Sequence, residues 1–291
     1  MCYSKRAEKQ NALGPDWRFC EGKTSTGACL TLSAPYLGAF MSEIANCDVA
    51  FIVDSTGSMG TLIASAQRDM VSMVTSLSKE SSINTRFAVV EYRDHAGPRQ
   101  SSSFVTREYD FTDKPEKAQL YINRLRADEG GDTPEAVFDG LASAADKLSW
   151  DKHARRIGIL LGDAAYHGYG GSGDIFPKGC PCGDTVESST AKLENKNVTL
   201  YTIGLTYGLQ PYFGPLAAYT GGLFVQSDAV KAFQAIQVLL KKEFSNIAFD
   251  TQVLNAWAKT NDFDEIATSL KVSRELVAES VCRLNSRNLL D

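Results

Sequence analysis

The sequence predicts an α/β protein: a doubly wound, mostly parallel and Rossmann-like sheet, with a small all-α module at its C-terminal end. Two segments, 51–53 and 157–161, are continuously apolar, which is typical of strands covered by helices on both faces. Segments with helical periodicity separate most of the strands, which implies right-handed crossovers between parallel strands. After residue 245 the strands stop and only helical periodicity continues.

The individual elements follow from the same patterns. Strands are predicted at 48–54, 85–93, 103–111, 156–162, 198–205 and 223–226. Helices are predicted at 62–77, 115–126, 134–148, 185–196, 210–219 and 228–244, and then at 251–259, 263–270 and 273–288.

These elements divide the chain into three regions. Residues 1–46 lack sustained periodicity and are interpreted as a poorly ordered leader. Residues 47–245 form the α/β domain, and 250–291 form the helical module, because 246–250 are expected to break the last long helix. Trp257 and Leu276 are expected to be buried within this module or against another protein. Its core is predicted to contain Val253, Leu254, Trp257, Ile266, Ala267, Leu270, Val277, Val281 and Leu284.

Composition limits the class of function. With 291 residues, 43% of them hydrophobic, the chain can bury a sizeable core. A formal net charge of -5 disfavours sequence-independent nucleic-acid binding, which needs clustered basic residues. No segment has the length of a membrane span, and the N-terminus has no apolar signal region, so we expect a cytoplasmic protein. The seven cysteines, an odd number, are interpreted mainly as reduced thiols.

Oxygen-bearing side chains follow the apolar strands. Asp54, Thr56 and Ser58 lie on the turn after the first strand, Asp163 follows the fourth strand, and Thr133 lies in a glycine-rich loop. In doubly wound sheets ligands bind at the carboxyl ends of the strands, near the topological switch point. This all-oxygen set suits a hard divalent cation, and its low charge favours Mg²⁺ with retained waters, with Ca²⁺ or Mn²⁺ as alternatives.

Three segments, in this order along the chain, together resemble a known metal site. Residues 54–58, 131–135 and 162–163 resemble the metal-ion-dependent adhesion site (MIDAS) of von Willebrand factor A (VWA) domains, and the resemblance covers about 48–245. Further segments are similar to the A domains that accompany alpha-kinases. These are 87–95, 179–183 and 200–204.

The resemblance implies a role for each candidate ligand. Thr56 and Ser58 would bind the metal through their hydroxyls, Thr133 directly or through water, and Asp54 and Asp163 mainly through water. The sixth position would be taken by an Asp or Glu carboxylate of a partner protein. The chain is therefore interpreted as a non-catalytic adaptor or scaffold that binds a protein through Mg²⁺.

Other residues at the same edge are candidates for the surface around this site. Asp94 and His95 close the second strand, and His167 lies in the glycine-rich loop after Asp163, so these three are predicted to form a rim that a partner contacts. Cys180 and Cys182 lie in the same loop. Zinc binding by them is disfavoured because no second pair stands at zinc-ligand spacing, and their role is left open.

The sequence leaves two alternative functions. A serine hydrolase using Ser58 is disfavoured, because Thr56 occupies the first glycine position of the G-x-S-x-G turn. A nucleic-acid-associated adaptor is the second alternative, because residues 266–277 resemble a winged-helix-type helix-turn-helix. Against it, residues 250–291 contain five Lys and Arg but seven Asp and Glu, and Lys271 replaces the glycine frequent in that turn.

Overall fold

The computed structural model describes residues 44–77, 82–97, 102–131, 133–228 and 231–290, so 1–43 of the predicted leader lie outside the described residues. A six-stranded sheet has the order β3-β2-β1-β4-β5-β6. The antiparallel strand β3 lies at one edge, and the other pairs are parallel, as predicted. The strands are β1 (Asn46–Asp54), β2 (Asn84–Tyr92), β3 (Thr106–Thr112), β4 (Arg155–Gly162), β5 (Val198–Gly204) and β6 (Phe224–Gln226).

Helices cover both faces of the sheet. One core cluster joins the sheet to α1, α2 and α6, and a second cluster joins its other face to α3, α4 and α5. Strand β1 supplies both clusters, with Val49, Phe51 and Val53 on one face and Ala50 and Ile52 on the other. The helices are α1 (Gly60–Leu77), α2 (Pro115–Arg124), α3 (Val137–Lys147), α4 (Val186–Asn195), α5 (Gln210–Tyr219), α6 (Ala232–Trp257), α7 (Phe263–Leu270) and α8 (Arg274–Ser286).

The predicted helix break at 246–250 is wrong. Helix α6 is continuous over 26 residues, and this stretch contains neither Gly nor Pro. Its Ile247 packs in the main core, whereas Val253 and Leu254 pack in the C-terminal core, so one helix serves both. The polar Asp250 is tolerated because Arg283 and Ser280 hydrogen-bond to its buried carboxylate.

The C-terminal helices pack on the end of α6 and against the α/β region. Every residue predicted for their core lies in or against one hydrophobic cluster, whereas Leu276 is 46% exposed and is not buried within the module. The buried Arg287 guanidinium donates hydrogen bonds to the carbonyls of Ile44 (2.6 Å) and His153 (2.7 Å). None of the helices in the described ranges combines the length and hydropathy that a bilayer span requires.

The topology creates a switch point at the centre of the sheet. Strand β1 pairs with β2 on one side and with β4 on the other, and all three run parallel. Connections leave β1 and β4 in opposite directions along the sheet, which opens a crevice between their carboxyl ends. Asp54 is the last residue of β1, and Asp163 directly follows β4, so both lie at this crevice.

Candidate metal site

The turn after β1 is held by Asp54. Its side chain is fully buried, and its Oδ1 accepts hydrogen bonds from the Thr56 backbone nitrogen (2.9 Å) and the Thr56 hydroxyl (2.7 Å). A carboxylate that accepts from the backbone two residues on is a common way to stabilise a turn. The turn is also tied to the neighbouring strand, because the Ser55 nitrogen donates to the Tyr92 carbonyl at 2.9 Å.

Hydroxyl groups connect this turn to the end of β4. Ser58 Oγ donates to Asp163 Oδ1 at 3.1 Å and lies 3.3 Å from Thr56 Oγ1. Thr56 thus donates to the buried carboxylate and Ser58 to the partly exposed one, and the two hydroxyl oxygens lie side by side between them. Four of the five ligands predicted from the sequence are brought together in this way.

Thr133 is exposed on the loop that leads to α3. The loop lies beside the end of β4, because the Glu135 nitrogen donates to the Ala165 carbonyl at 2.8 Å. Among the described residues, no hydrogen bond joins the Thr133 side chain to the other four candidates. Its role as a ligand stays a prediction.

The charge balance of the site favours a cation. Asp54 Oδ2 is buried and has no hydrogen-bond partner in the described part of the chain. Burial first, and then the charge of Asp163, raise the pKa of Asp54 to about 7, and burial raises the pKa of Asp163 as well. A buried polar atom without a partner needs an explanation. A divalent ion beside these carboxylates and hydroxyls would supply the missing positive charge, so the residues present fit such an ion.

Glu135 is a neighbour of the site that the sequence reasoning did not identify. It is 3% exposed, its Oε2 has no hydrogen-bond partner among described residues, and its side chain hydrogen-bonds with Thr56. Burial, followed by the charges of Asp54 and Asp94, raises the pKa of Glu135 to about 11. In the metal-free protein Glu135 therefore favours its neutral form. Its position in the segment that holds Thr133 was the available signal.

Arg93 organises the loop above the turn and was also missed. Its guanidinium is buried and donates to Glu129 Oε2 (2.7 Å), to the Arg126 carbonyl (3.0 Å) and to Ser55 Oγ (3.2 Å). The Glu129 backbone carbonyl in turn accepts a hydrogen bond from the Gly57 nitrogen at 2.9 Å. Because Arg93 joins the loop to the turn after β1, it fixes the backbone that carries Thr56 and Ser58.

The predicted rim needs correction at two positions. Asp94 is 0% and His167 is 1% exposed, so neither presents atoms to a partner, because the loop after β4 folds over them. His167 Nε2 lies 2.6 Å from Asp94 and Nδ1 lies 3.0 Å from Asp174. Burial opposes a charged imidazole, but the hydrogen bonds to the two carboxylates outweigh it and raise the pKa of His167. His95, with 14% of its side chain exposed, is only partly covered.

Tyr207, unlike Asp94 and His167, is exposed on the surface. Its side chain is 96% exposed and follows Thr206, whose hydroxyl donates to the Asp163 carbonyl at 2.5 Å. A large aromatic side chain is thereby held on the surface next to a candidate metal ligand. Nothing in the sequence pattern distinguished Tyr207 from an ordinary loop residue.

Ser58 does not have the surroundings of a hydrolase nucleophile. Its hydroxyl donates to Asp163, and the three histidines of the chain make their contacts elsewhere. His95 contacts Asp139, His167 contacts Asp94, and His153 contacts the Arg287 carbonyl. The geometry therefore does not assemble the Ser and His pair that nucleophilic catalysis requires.

Comparison with known proteins agrees with the fold. Residues 48–150 match the family model of the von Willebrand factor A domain. The chain is 26% identical over 238 residues to the alpha-protein kinase vwkA of Dictyostelium discoideum. That alignment covers 80% of this chain and 34% of the kinase, so the chain spans about a third of the kinase's length.

Solved structures give a likeness in fold. Proximal thread matrix protein 1 from the mussel byssus aligns with a TM-score of 0.51 and 18% identity, over 69% of this chain and 46% of the mussel chain. A second structure of that mussel protein, described as having a zinc-occupied MIDAS motif, aligns with a TM-score of 0.50 over the same shares at the same identity. At this identity the likeness concerns the fold.

Proposed function

Since this chain contains a von Willebrand factor A domain, we propose that it is a non-catalytic binding module that holds a partner protein through Mg²⁺. The partner would offer an Asp or Glu carboxylate to the metal. The proposed ligands share side-chain oxygens at the carboxyl edge of the sheet. They are Asp54, Thr56, Ser58, Thr133 and Asp163.

One observation carries the proposal. Among the described residues Asp54 Oδ2 is buried without a hydrogen-bond partner, and the hydroxyl oxygens of Thr56 and Ser58 lie between Asp54 and the more exposed Asp163. Mg²⁺ prefers oxygen ligands and keeps some waters when the protein supplies few carboxylates. Only two of the five proposed ligands, Asp54 and Asp163, are carboxylates, so the protein would supply few negative charges to the metal. The metal would then remain able to accept an anionic oxygen from outside.

The surface beside the ligands suits a protein partner. Tyr207 is nearly fully exposed next to Asp163, and tyrosine is enriched among the residues that dominate binding energy at protein interfaces. We propose that Tyr207 packs against the partner while the metal binds its carboxylate. A cytoplasmic setting, in which thiols stay reduced, is in keeping with the free cysteines Cys180 and Cys182.

Metal binding is tested by thermal unfolding of the full chain with increasing Mg²⁺. The full chain is needed because α6 runs through the boundary at 246. A ligand that binds only the folded state at about 100 times its Kd adds about 2.7 kcal/mol of stability. Asp54→Ala should abolish the rise in Tm, whereas Asp264→Ala, an exposed acid on α7, should retain it. An equal rise in Asp54→Ala would place the metal elsewhere.

Partner binding is tested by capture on the immobilised chain in Mg²⁺ or in EDTA, followed by a binding assay with the identified protein. Ser58→Ala should weaken both metal and partner binding. Tyr207→Ser should keep the Mg²⁺-dependent rise in Tm but weaken partner binding by about 2 kcal/mol, as for a typical interface hot spot. Binding that EDTA leaves unchanged would contradict the proposal.

A further inference from the structure

A second group of metal-ligating side chains lies outside the oxygen site. His95 Nε2, Asp139 Oδ2 and Cys180 Sγ meet where the end of β2, helix α3 and the loop before α4 come together. The His95 nitrogen lies 3.0 Å from Asp139 Oδ2 and 3.2 Å from Cys180 Sγ, and the thiol lies 3.0 Å from the same carboxylate oxygen. All three atoms therefore lie within contact distance of one another.

Cys182, two residues after Cys180, is the candidate for a fourth ligand. Both cysteines are free thiols. The Cys180 side chain is buried, Asp139 and His95 are mostly covered, and Cys182 lies on the solvent side. One nitrogen, one oxygen and one sulfur thus converge from three separate segments of the chain, and a second sulfur lies on the exposed part of the same loop.

We propose that His95, Asp139, Cys180 and Cys182 form a structural zinc site. Zinc prefers four ligands of this kind in a tetrahedron, whereas Mg²⁺ avoids sulfur. Bond lengths of about 2.0–2.3 Å place the ligand atoms of a tetrahedral zinc roughly 3.5 Å apart. The observed separations of 3.0–3.2 Å need to widen by only a few tenths of an ångström. Binding would release the protons of both thiols to solvent.

The surroundings already orient the ligands. Asp94 accepts the His95 backbone nitrogen at 2.6 Å, and Phe176 packs edge-on to the His95 ring with centroids 5.8 Å apart. The Gly183 nitrogen donates to the Cys180 carbonyl at 2.9 Å, which closes a turn around the two cysteines. Such supporting contacts fix ligand orientation in metal sites. The sequence disfavoured zinc for lack of a second ligand pair, but the fold supplies that pair from β2 and α3.

The site would shape the face on which the oxygen site lies. The loop that carries Cys180 and Cys182 begins directly after Asp163 and covers His167. A metal bound to both cysteines would join this loop to β2 through His95 and to α3 through Asp139. The surface around Asp163 would then be held in one conformation by a metal that does not contact the partner.

Co²⁺ titration of the reduced, metal-free full chain tests the site. Sulfur bound to Co²⁺ gives a charge-transfer absorption that oxygen ligands do not give, so the signal separates this site from the oxygen site. We expect one equivalent of Co²⁺ to produce the band, Zn²⁺ to displace it, and Asp54→Ala to retain it. Failure of the oxygen site would leave this result unchanged.

Variants identify the ligands. Loss of supporting contacts alone costs 10–100-fold in metal affinity, so Cys180→Ser, Cys182→Ser and His95→Ala should each weaken Co²⁺ binding by about 100-fold or more. Cys282→Ser, and a variant with Cys2, Cys20 and Cys29 all replaced by Ser, should retain the band. No thiolate band in the wild type, or a full band in Cys180→Ser, would overturn the proposal.

A second measurement does not depend on the folding of variants. Zn²⁺ should protect Cys180 and Cys182 of the wild type from alkylation, while the exposed Cys282 reacts at the same rate with and without the metal. Peptide mass spectrometry measures the alkylation of each cysteine separately. Equal alkylation of Cys180 and Cys182 with and without Zn²⁺, or a disulfide between them that persists under reducing conditions, would overturn the site.

Discussion

Asp54 is fully buried at the end of β1, and only one of its two carboxylate oxygens has a partner among the described residues. In the metal-free protein its ionisation is unfavourable, because burial and the charge of Asp163 both oppose it. A folded-state pKa of about 7 lies above the ordinary value of 3.8. Stability linked to this group is therefore fully present below pH 3.8 and is lost as pH rises through about 7.

The first prediction follows for Asp54→Asn in EDTA. Asparagine keeps an oxygen that accepts the two Thr56 hydrogen bonds but carries no charge. At pH 8 the variant should be more stable than the wild type by up to about 4 kcal/mol, since each pKa unit corresponds to about 1.4 kcal/mol. The difference should shrink as pH falls towards 4. Urea unfolding across this range measures it, and a variant less stable than the wild type at pH 8 would contradict the prediction.

The candidate site shows which residues a sequence can identify. Asp54, Thr56, Ser58 and Asp163 follow apolar strands, and the rule for parallel sheets brings such strand ends together. Asp94 and His167 also follow strands, yet they are buried, because the loop after β4 folds back on itself around His167 and brings His167 against Asp94. Residue order fixes which side chains lie at one edge. It does not show which of them the connecting loops leave exposed.

At the scale of elements, Gly140 sets how closely α3 approaches β2. A Cβ atom at this position would lie 2.9 Å from Tyr92 Cδ1 and 3.2 Å from Tyr92 Cβ. Tyr92 is fully buried in β2, so its ring has no free space to move into. The absence of a side chain at Gly140 is what allows this contact between helix and strand.

Gly140→Ala should therefore destabilise the protein by about 1–3 kcal/mol, as expected for overpacking. Replacing glycine by alanine in a helix normally stabilises the protein by up to about 1 kcal/mol. The sign of the change in the free energy of unfolding therefore tests whether Gly140 is tightly packed. Gly214→Ala in α5 is the matched control, because its Cβ would meet only Gln210 Cγ at 3.7 Å. Denaturant unfolding of both variants measures the difference. A stabilised Gly140→Ala would show that α3 and β2 are not packed this closely.

Strand β4 and helix α6 are joined by a buried ion pair. Arg155 donates to both oxygens of Glu243 at 2.8 and 3.0 Å, and the Tyr201 hydroxyl donates to the same carboxylate. Burial raises the pKa of Glu243, but the attraction of Arg155 and these hydrogen bonds outweigh it and hold the pKa below 4.5. The stability linked to Glu243 is thus present above pH 4.5 and is lost as pH falls through the folded value.

Glu243→Gln should lower the free energy of unfolding by about 3–5 kcal/mol at pH 7, because it leaves the Arg155 charge without a partner. The difference from the wild type should begin to shrink below pH 4.5, because the unfolded state then takes up a proton, and it should be lost as pH falls through the lower pKa of the folded state. Glu194→Gln, an exposed change on α4, should stay within about 0.5 kcal/mol. A loss that is constant from pH 7 to pH 4 would contradict this account.

Most strands and helices could be predicted from hydrophobic periodicity, because buried residues recur at a different spacing in a strand than in a helix. Strand β1 is the clearest case, since its continuous apolar run fills both faces. Helix α6 was divided wrongly, because Asn246 and Asp250 resemble a helix end when their partners are unknown. Arg283, more than thirty residues away, is the residue that makes Asp250 acceptable inside the helix.

At the scale of the whole molecule, the C-terminal helices use their charges for internal contacts. Arg283 binds the buried Asp250, Arg287 donates to the Ile44 carbonyl, and Arg274 lies 3.7 Å from Asp264. Only Lys259 and Lys271 remain as exposed basic residues outside these contacts. A protein that binds duplex DNA needs Lys and Arg side chains that can replace the counterions of the phosphates, and this surface offers few of them.

The full chain should therefore bind duplex DNA no more tightly than about 10 μM at physiological salt, within the range of non-specific binders. Fluorescence anisotropy at about 50 and 200 mM salt provides the test, because a protein with several phosphate contacts loses about 10³–10⁵ in affinity between these concentrations. Lys259→Ala with Lys271→Ala should leave the weak binding unchanged. Submicromolar binding that falls steeply with salt, and that this double variant removes, would make the helical module a nucleic-acid-binding element.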